Sequence, residues 1–362
     1  MYFCMLKKHH NQFLLTTMSN NNKSLPKKLL ITGGITLFLF FLFAVYVILF
    51  PNTTTQKEDT YLYISDHDQF EDILAQINNK SLLINEFTFK LIAKQIKYDQ
   101  KIRPGRYKIT PGMSNLVLIR KLRGGIQEPV KLVINNIRTK EQLAGKLSSM
   151  IMADSLSIIH ALNDSVFLKQ YDLNPYNAVI FFIPNTYEVF WDTDTKELFN
   201  RMKKEFDIFW NKERMAKAAL IPMTQTEVMT LATIIEEETN KKKEHPIIAG
   251  LYINRLKIDM PLQACPTIRF ALNDYTINRV HIKHLQVKSP YNTYKNKGLP
   301  PGPIRLPSPA TIDAVLNYEK HDYLFMTAKE TLNGEHNFAI TYTEHTKNAR
   351  KYQQELNRLG IK

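Results

Sequence analysis

The chain has 362 residues, 44% of them hydrophobic and 23% charged, with a formal net charge of +14 at pH 7. Its length allows two compact domains of roughly 100 to 200 residues, and its ordinary composition excludes a disordered chain or a disulfide scaffold. The basic excess favours an anionic partner surface, such as lipid head groups or an acidic cell-wall polymer, with a simply solvated basic face as the alternative.

The first predicted element is one membrane-spanning helix from Leu29 to Phe50, a run without any charged residue. At about 1.5 Å per residue it crosses a bilayer core of roughly 30 Å. A cleavable signal peptide is disfavoured because its apolar part covers roughly 7 to 15 residues and ends at small residues. Five lysines and no acidic residue precede the run. The positive-inside rule therefore predicts a cytoplasmic tail over residues 1–28 and export of everything after Pro51.

Export has two further consequences. The only cysteines, Cys4 and Cys265, would lie on opposite sides of the membrane and could not form a disulfide. An exported basic chain also has no access to nucleic acid, which is therefore not expected as a partner.

A polar linker over residues 51–60 leads into a small α+β unit, which we place at 61–126. Strand patterns occur at 61–65 and, after the Pro104-Gly105 turn, at 106–109. Apolar residues at helical spacing predict helices, and Gly124 and Gly125 supply a stop signal for the last of them. The segments with this spacing are 68–77, 87–96 and 113–125. A unit of this size suits a binding or spacer module.

The rest of the chain, residues 127–362, predicts a mixed α+β region. A strand at 129–135 is followed by helices at 139–152 and 197–210, with an aromatic strand and turn between them at 179–190. Thr224 and Glu227 form a capping box that starts another helix. Later elements are a helix at 244–258, a turn and short helix at 261–272, a loop at 288–309, a hairpin around Asn333-Gly334 that favours a type I′ turn, and a charged C-terminal helix.

The capped helix ends in LATIIEEETN, and its three glutamates are not equivalent. At about 100° per residue, Glu238 falls on the apolar stripe of Leu231 and Ile234, whereas Glu236 and Glu237 fall outside it and can be solvated. A carboxyl group in apolar surroundings tends to keep its proton, as a general acid requires. The alternative is a structural glutamate that meets a cation such as Arg255.

The sequence favours no competing chemistry. It lacks a G-x-S-x-G elbow, an H-E-x-x-H motif and a phosphate-binding loop, and its histidines are too scattered to predict a metal site. The loop over residues 288–309 combines aromatic faces, hydrogen-bonding groups and stiffening prolines, so it suits a glycan site, although a plain surface loop remains open. The candidate substrate-binding residues are Gln263, Thr267, Tyr291, Asn292, Thr293 and Tyr294.

Three linked motifs, LATIIEEET, IIAGLYINRLKIDMPLQACPTI and SPYNTYKNKGLPPGPI, resemble the endolytic murein transglycosylases, the MltG or YceG-like family. The resemblance is specific from Thr224 to Leu359, with core motifs over 224–345. It implies a bacterial inner-membrane enzyme of cell-wall biogenesis with a LysM-like module at 61–126, acting on peptidoglycan near the cell-wall synthases. Cys265 departs from the family pattern, in which an aspartate is expected.

The resemblance also implies a mechanism without a metal or an organic cofactor. Glu238, with Glu236 as the runner-up, would act as general acid and then base while the N-acetylmuramic acid 6-hydroxyl forms a 1,6-anhydro end. Two alternatives stay open. One is a lysozyme-like hydrolase, in which Glu236 or Asp274 would activate water. The other is a wall-binding scaffold without activity.

Overall fold

The computed structural model describes residues 27–54, 60–277 and 279–361. The described chain mixes helices with short strands. The helices are α1 Lys27–Leu49, α2 Phe70–Asn79, α3 Glu86–Gln95, α4 Asn115–Gly124, α5 Lys140–Ser148, α6 Ser155–Ala161, α7 Ser165–Lys169, α8 Thr195–Phe209, α9 Lys212–Leu220, α10 Gln225–Glu238, α11 His245–Lys257, α12 Cys265–Leu272, α13 Pro309–Leu316 and α14 Tyr342–Arg358. The strands are β1 Thr60–Ile64, β2 Gly105–Ile109, β3 Val130–Ile134, β4 Asn185–Val189, β5 Phe325–Ala328 and β6 His336–Ala339. They form three antiparallel pairs, β1 with β2, β3 with β4 and β5 with β6.

The predicted apolar helix near the N-terminus is confirmed. Its stretch Lys28–Leu49 has a mean hydropathy of 2.4, is almost wholly exposed, and is long and apolar enough to cross a membrane. Most of the predicted cytoplasmic tail and residues 55–59 of the predicted linker lie outside the described residues.

A first hydrophobic core gathers β1, β2 and the three helices α2 to α4. Leu62 of β1 pairs with Tyr107 of β2, and both are fully buried. The side chain of Ser114 caps the start of α4, and Gly125 ends it with φ of 71°, a left-handed conformation that glycine adopts without strain. Every element predicted for this stretch is present.

A second, larger core joins β3 and β4 to the helices from α5 to α13. Helix α10 lies inside it and contacts α9, α11, α12 and α13. Four helices of this region, α6, α7, α9 and α13, were not predicted because each is short. Their start signals are nevertheless present, since each begins after a side chain that caps its first turn. These caps are Asp154, Asp164, Asn211 and Ser308.

The hairpin of β5 and β6 is confirmed, whereas its expected type I′ turn is wrong. Lys329 N donates to Glu335 O at 2.8 Å, so the connection is longer than the two residues of that turn. Positive φ occurs at Leu332 (52°) and Gly334 (78°) and not at Asn333. The extra loop residues remove the need for two adjacent left-handed positions.

Candidate active site

Helix α10 carries the candidate site at its C-terminal end. The capping box at its start is complete, because Glu227 N donates to Thr224 Oγ1 at 3.2 Å and Thr224 N donates to Glu227 Oε2 at 2.8 Å. All residues from Val228 to Ile235 are buried. The expectation of a single buried stripe is therefore wrong, because neighbouring helices cover this helix on all sides.

Glu236 and Glu237 are not solvated, which corrects the second part of that expectation. Glu237 is bound by two guanidinium groups, with Arg305 Nη1 at 2.6 Å and Arg138 Nε at 3.0 Å from its Oε1. Glu236 Oε2 accepts a 2.7 Å hydrogen bond from Ser308 N. The Glu236 and Glu237 side chains are 18% and 11% exposed. Fixed partners thus occupy both carboxylates.

Glu238 has different surroundings. Its Oε1 accepts a 2.9 Å hydrogen bond from the hydroxyl of Tyr252, a residue of α11 that is 1% exposed. Among the described residues, Oε2 has no hydrogen-bond partner, and Glu238 as a whole is only partly buried. Burial raises the pKa of the Glu238 carboxyl group, and the Tyr252 hydrogen bond opposes this rise. The arrangement suits a carboxyl group that holds a proton and can deliver it from Oε2.

Three basic side chains also influence the Glu238 carboxyl group. His336, Arg269 and Arg255 each lower its pKa, but by less than burial raises it. Arg255 donates to two backbone carbonyl groups, Leu324 O at 2.6 Å and Leu262 O at 2.7 Å. Within the described chain it makes no ion pair with Glu238, so the alternative of a Glu238–Arg255 pair is not seen.

Thr239, directly after the helix, joins the site to the hairpin. Its hydroxyl donates to Glu244 Oε2 at 3.2 Å, and that carboxylate also lies 2.9 Å from His336 Nδ1 on β6. His336 N donates to Glu244 Oε1 at 2.7 Å. Glu244 is 7% exposed. This network holds β6 beside the end of α10.

Three of the predicted substrate-binding residues are buried and bonded internally. Thr267 Oγ1 lies 2.9 Å from Thr293 Oγ1, and Thr293 Oγ1 accepts a hydrogen bond from Ala264 N at 3.0 Å. Asn292 Nδ2 donates to the carbonyl oxygens of Leu285 and Val287, each at 2.9 Å. These side chains shape the loop and hold it against α12.

Of the other predicted residues, Tyr291 is also buried at 9% exposed, whereas Gln263 and Tyr294 are more accessible. Gln263 is exposed and has a φ of 49°. Tyr294 is half-buried, with its hydroxyl 3.1 Å from Cys265 Sγ. Glu238 raises the pKa of the Cys265 thiol, after the larger effect of burial. Cys265 stands at the position where an aspartate was expected, and its partner there is the Tyr294 hydroxyl.

A cavity of about 480 Å³ adjoins the Glu237 side of α10. Tyr291 is the one predicted substrate-binding residue in its wall, where its ring lies 4.6 Å from that of Phe270. Arg138 and Arg305, the partners of Glu237, also line the cavity, whereas Glu238 does not. The cavity and the Glu238 carboxyl group are thus separate features of the same region.

No sequence pattern marks Tyr252 or His336 as a residue that acts on Glu238. Tyr252 lies in an apolar helix, where a tyrosine usually serves the core, and its hydroxyl was the only available signal. His336 comes from a hairpin almost 100 residues further along the chain. Only the packed structure brings these side chains to Glu238.

The sequence model of the YceG-like family matches residues 62–351. The chain is 29% identical over 326 residues to the endolytic murein transglycosylase of Bacillus subtilis (strain 168), covering 84% of this chain and 88% of the relative. It is 25% identical over 341 residues to the protein of that name from Streptococcus pneumoniae (strain ATCC BAA-255 / R6), covering 84% of this chain and 60% of the relative. A crystal structure of a yceG-like protein from Listeria monocytogenes is similar, with a TM-score of 0.53, 28% identity, and coverage of 80% of this chain and 99% of that one.

Proposed function

Because the chain belongs to the YceG-like family, and its similar curated relatives are named endolytic murein transglycosylases, we propose that it is a peptidoglycan lytic transglycosylase. Its substrate is the glycan strand of nascent peptidoglycan. The bond cleaved is the MurNAc–GlcNAc glycosidic bond within the strand, and the product carries a 1,6-anhydro-MurNAc end.

The observation that carries this proposal is the environment of Glu238. Burial favours its protonated form, one oxygen is held by Tyr252, and the other is free to reach a ligand. Glu238 donates its proton to the glycosidic oxygen as the bond to the anomeric carbon breaks. The carboxylate left behind keeps the Tyr252 hydrogen bond, which stabilises its new negative charge.

One carboxyl group suffices for the second half of the reaction. The 6-hydroxyl of the muramic acid unit attacks its own anomeric carbon, and Glu238 takes the proton of that hydroxyl. This intramolecular attack benefits from proximity and needs no water. Glu236 and Glu237 are held by arginine and backbone partners, which disfavours either of them as the base that activates water in a hydrolase. Asp274, whose Oδ1 accepts a hydrogen bond from Thr276, stays the candidate base of that alternative.

The predicted substrate-binding residues divide into two roles. Gln263 and Tyr294 are accessible and contact the strand, and Tyr291 offers its ring at the wall of the cavity. The buried residues Thr267, Asn292 and Thr293 hold the loop in the shape that presents those contacts. These three buried residues therefore affect the affinity for the glycan without contacting it.

The membrane placement of the enzyme is also part of the proposal. Helix α1 is a single-pass anchor in the bacterial inner membrane, with residues 1–28 in the cytoplasm, and 51–60 links it to the exported part. Residues 61–126 are a LysM-like module that positions peptidoglycan, and 127–362 are the catalytic region. Cell-wall synthases, which make the nascent strands, are the expected partners.

The test is mass spectrometry of purified glycan strands digested by the full chain in detergent, beside Glu238→Gln and Glu236→Gln. We expect anhydro-ended fragments from the parent and none from Glu238→Gln. Glu236→Gln keeps the product type. Reducing ends from the parent would indicate a hydrolase, and anhydro ends from Glu238→Gln would move the acid to Glu236. Strand binding without products from the parent would indicate a scaffold.

A further inference from the structure

The exit of α1 is tied to the small module that follows. Asn52, three residues after the helix ends, donates from Nδ2 to Asn85 O at 2.8 Å and to Asn115 Oδ1 at 2.6 Å. Asn115 Nδ2 donates in turn to Val47 O at 2.9 Å, and Ile84 N donates to Asn52 O at 2.8 Å. Asn52 and Asn115 are 5% and 1% exposed. The helix and the module are therefore joined by buried polar contacts rather than by a free tether.

These contacts place one end of the module at the level where α1 ends. Helices α3 and α4 both begin there, because Asn85 and Ser114 are their N-caps and Pro51 bridges to Ser114. The stretch Lys28–Leu49 is about 33 Å long at 1.5 Å per residue, slightly more than a hydrocarbon core of roughly 30 Å. With α1 spanning the bilayer as proposed above, the starts of α3 and α4 would lie at the boundary between lipid tails and head groups.

That end of the module exposes apolar side chains where charged ones would be expected in water. Ile84, Phe87 and Leu91 are 67%, 69% and 47% exposed. Phe87 and Leu91, four residues apart, lie on one face of α3, and Ile84 directly precedes its N-cap. Val117, in the first turn of α4, is 52% exposed. Helical side chains lean toward the N-terminus of their helix, so those of Phe87 and Val117 lean toward the same boundary. We call these four residues the exit patch.

We propose that the exit patch inserts into the outer leaflet of the bilayer, so that the module lies against the membrane surface. This inference rests on the proposed anchoring of the chain by α1. Burial of apolar and aromatic side chains at the boundary of acyl chains and head groups is energetically favourable. A cluster of exposed apolar side chains on a module that faces water indicates an interaction surface. The lipid is the partner already in reach, because it surrounds α1 at the same level.

The consequence is a fixed tilt of the module relative to the membrane. A free linker would let the module rotate away, whereas the Asn52 contacts and the exit patch give it two attachments to the same surface. The catalytic region, which follows directly at residue 127, would then start from a defined height above the bilayer.

To test this, single tryptophans are introduced into the full chain, which is reconstituted in nanodiscs. The quenching of tryptophan fluorescence is then measured with lipids brominated near the head group or near the ends of the acyl chains. Phe87→Trp reports on the exit patch, and Ile84→Trp is a second variant should the first fail to fold. Ile126→Trp is the matched control, since Ile126 is 61% exposed and follows the far end of α4. Phe41→Trp, within α1, reports on anchoring. The parent's two tryptophans supply the baseline.

We expect the added fluorescence of Phe87→Trp to be lost with lipids brominated near the head group, and that of Ile126→Trp to be retained. Quenching of Phe41→Trp without quenching of the exit-patch variants would overturn the inference and leave the anchoring intact. Failure of Phe41→Trp to be quenched would remove the anchoring and the inference together. An unquenched, blue-shifted Phe87→Trp signal that grows with the number of chains per nanodisc would assign the patch to a second copy, which also overturns it.

Discussion

Tyr252→Phe removes a single hydroxyl group from the environment of Glu238. The hydroxyl donates a 2.9 Å hydrogen bond to Glu238 Oε1, and Tyr252 is only 1% exposed, so water has little access to replace it. Hydrogen bonds to charged groups contribute about 1.5 to 3 kcal/mol. If this bond is made fully only after Glu238 has given up its proton, kcat falls about 13- to 160-fold, at about 1.36 kcal/mol per tenfold. KM changes little, because the hydroxyl group that is removed contacts Glu238 Oε1 and not the oxygen, Oε2, that is proposed to face the substrate.

The pH profile separates this role from a structural one. Burial raises the pKa of Glu238 and the Tyr252 hydrogen bond lowers it, so phenylalanine leaves this pKa higher than in the parent. A general acid works only while protonated, and activity is lost as the pH rises through its pKa. The alkaline limb of the profile therefore moves to higher pH in Tyr252→Phe, while the plateau rate is lower.

The assay follows anhydro ends released from purified glycan strands across a pH series. Tyr187→Phe is the matched control, because that buried tyrosine donates a 2.6 Å hydrogen bond to Ile183 O and does not contact Glu238. Its profile should keep the parental shape. Equal losses in both variants, or an alkaline limb that stays or moves to lower pH in Tyr252→Phe, would refute the reasoning.

Three further predictions concern stability and reactivity. Arg305→Met removes one charged hydrogen bond from Glu237 and leaves Arg138 in place, so it should lower the free energy of unfolding by about 2 kcal/mol, measured by urea denaturation; an unchanged midpoint would contradict it. Thr224→Ala removes the capping box of α10 and should cost about 1 kcal/mol in the same assay, whereas Thr224→Ser should not. Because burial raises the pKa of the Cys265 thiol, iodoacetamide should modify it more slowly at pH 7 than in urea, as peptide mass mapping will show.

Local signals predicted most of the elements. Each strand or helix predicted between residues 61 and 125 is present in the structure. Alternation and helical spacing depend only on residues that are close in the sequence, so they can be recognised without the tertiary structure. The complete capping box at Thr224 is another local signal. Short helices such as α7 carry too few turns for periodicity to show, although Asp164 marks its start.

Contacts that join distant segments could not be predicted in this way. The pattern of α10 suggested one buried face, but α9, α11, α12 and α13 cover the helix all round. Asn292 and Thr293 were likewise predicted to bind glycan because their side chains are polar. The packed structure shows that these side chains form hydrogen bonds inside the protein instead. The partner of a polar side chain depends on the tertiary structure, which one segment does not contain.

The end of α10 explains why three adjacent glutamates have different roles. A helix C-terminus carries a partial negative charge, so all three carboxylates are disfavoured there. Arg305, Arg138 and the Ser308 amide offset this cost for Glu236 and Glu237, and they also fix the last turn in place. Within the described part of the chain, the Glu238 carboxyl group accepts one hydrogen bond, from the Tyr252 hydroxyl. Burial favours its protonated form, and the partial charge of the helix end acts in the same direction, so Glu238 is the least compensated of the three carboxyl groups.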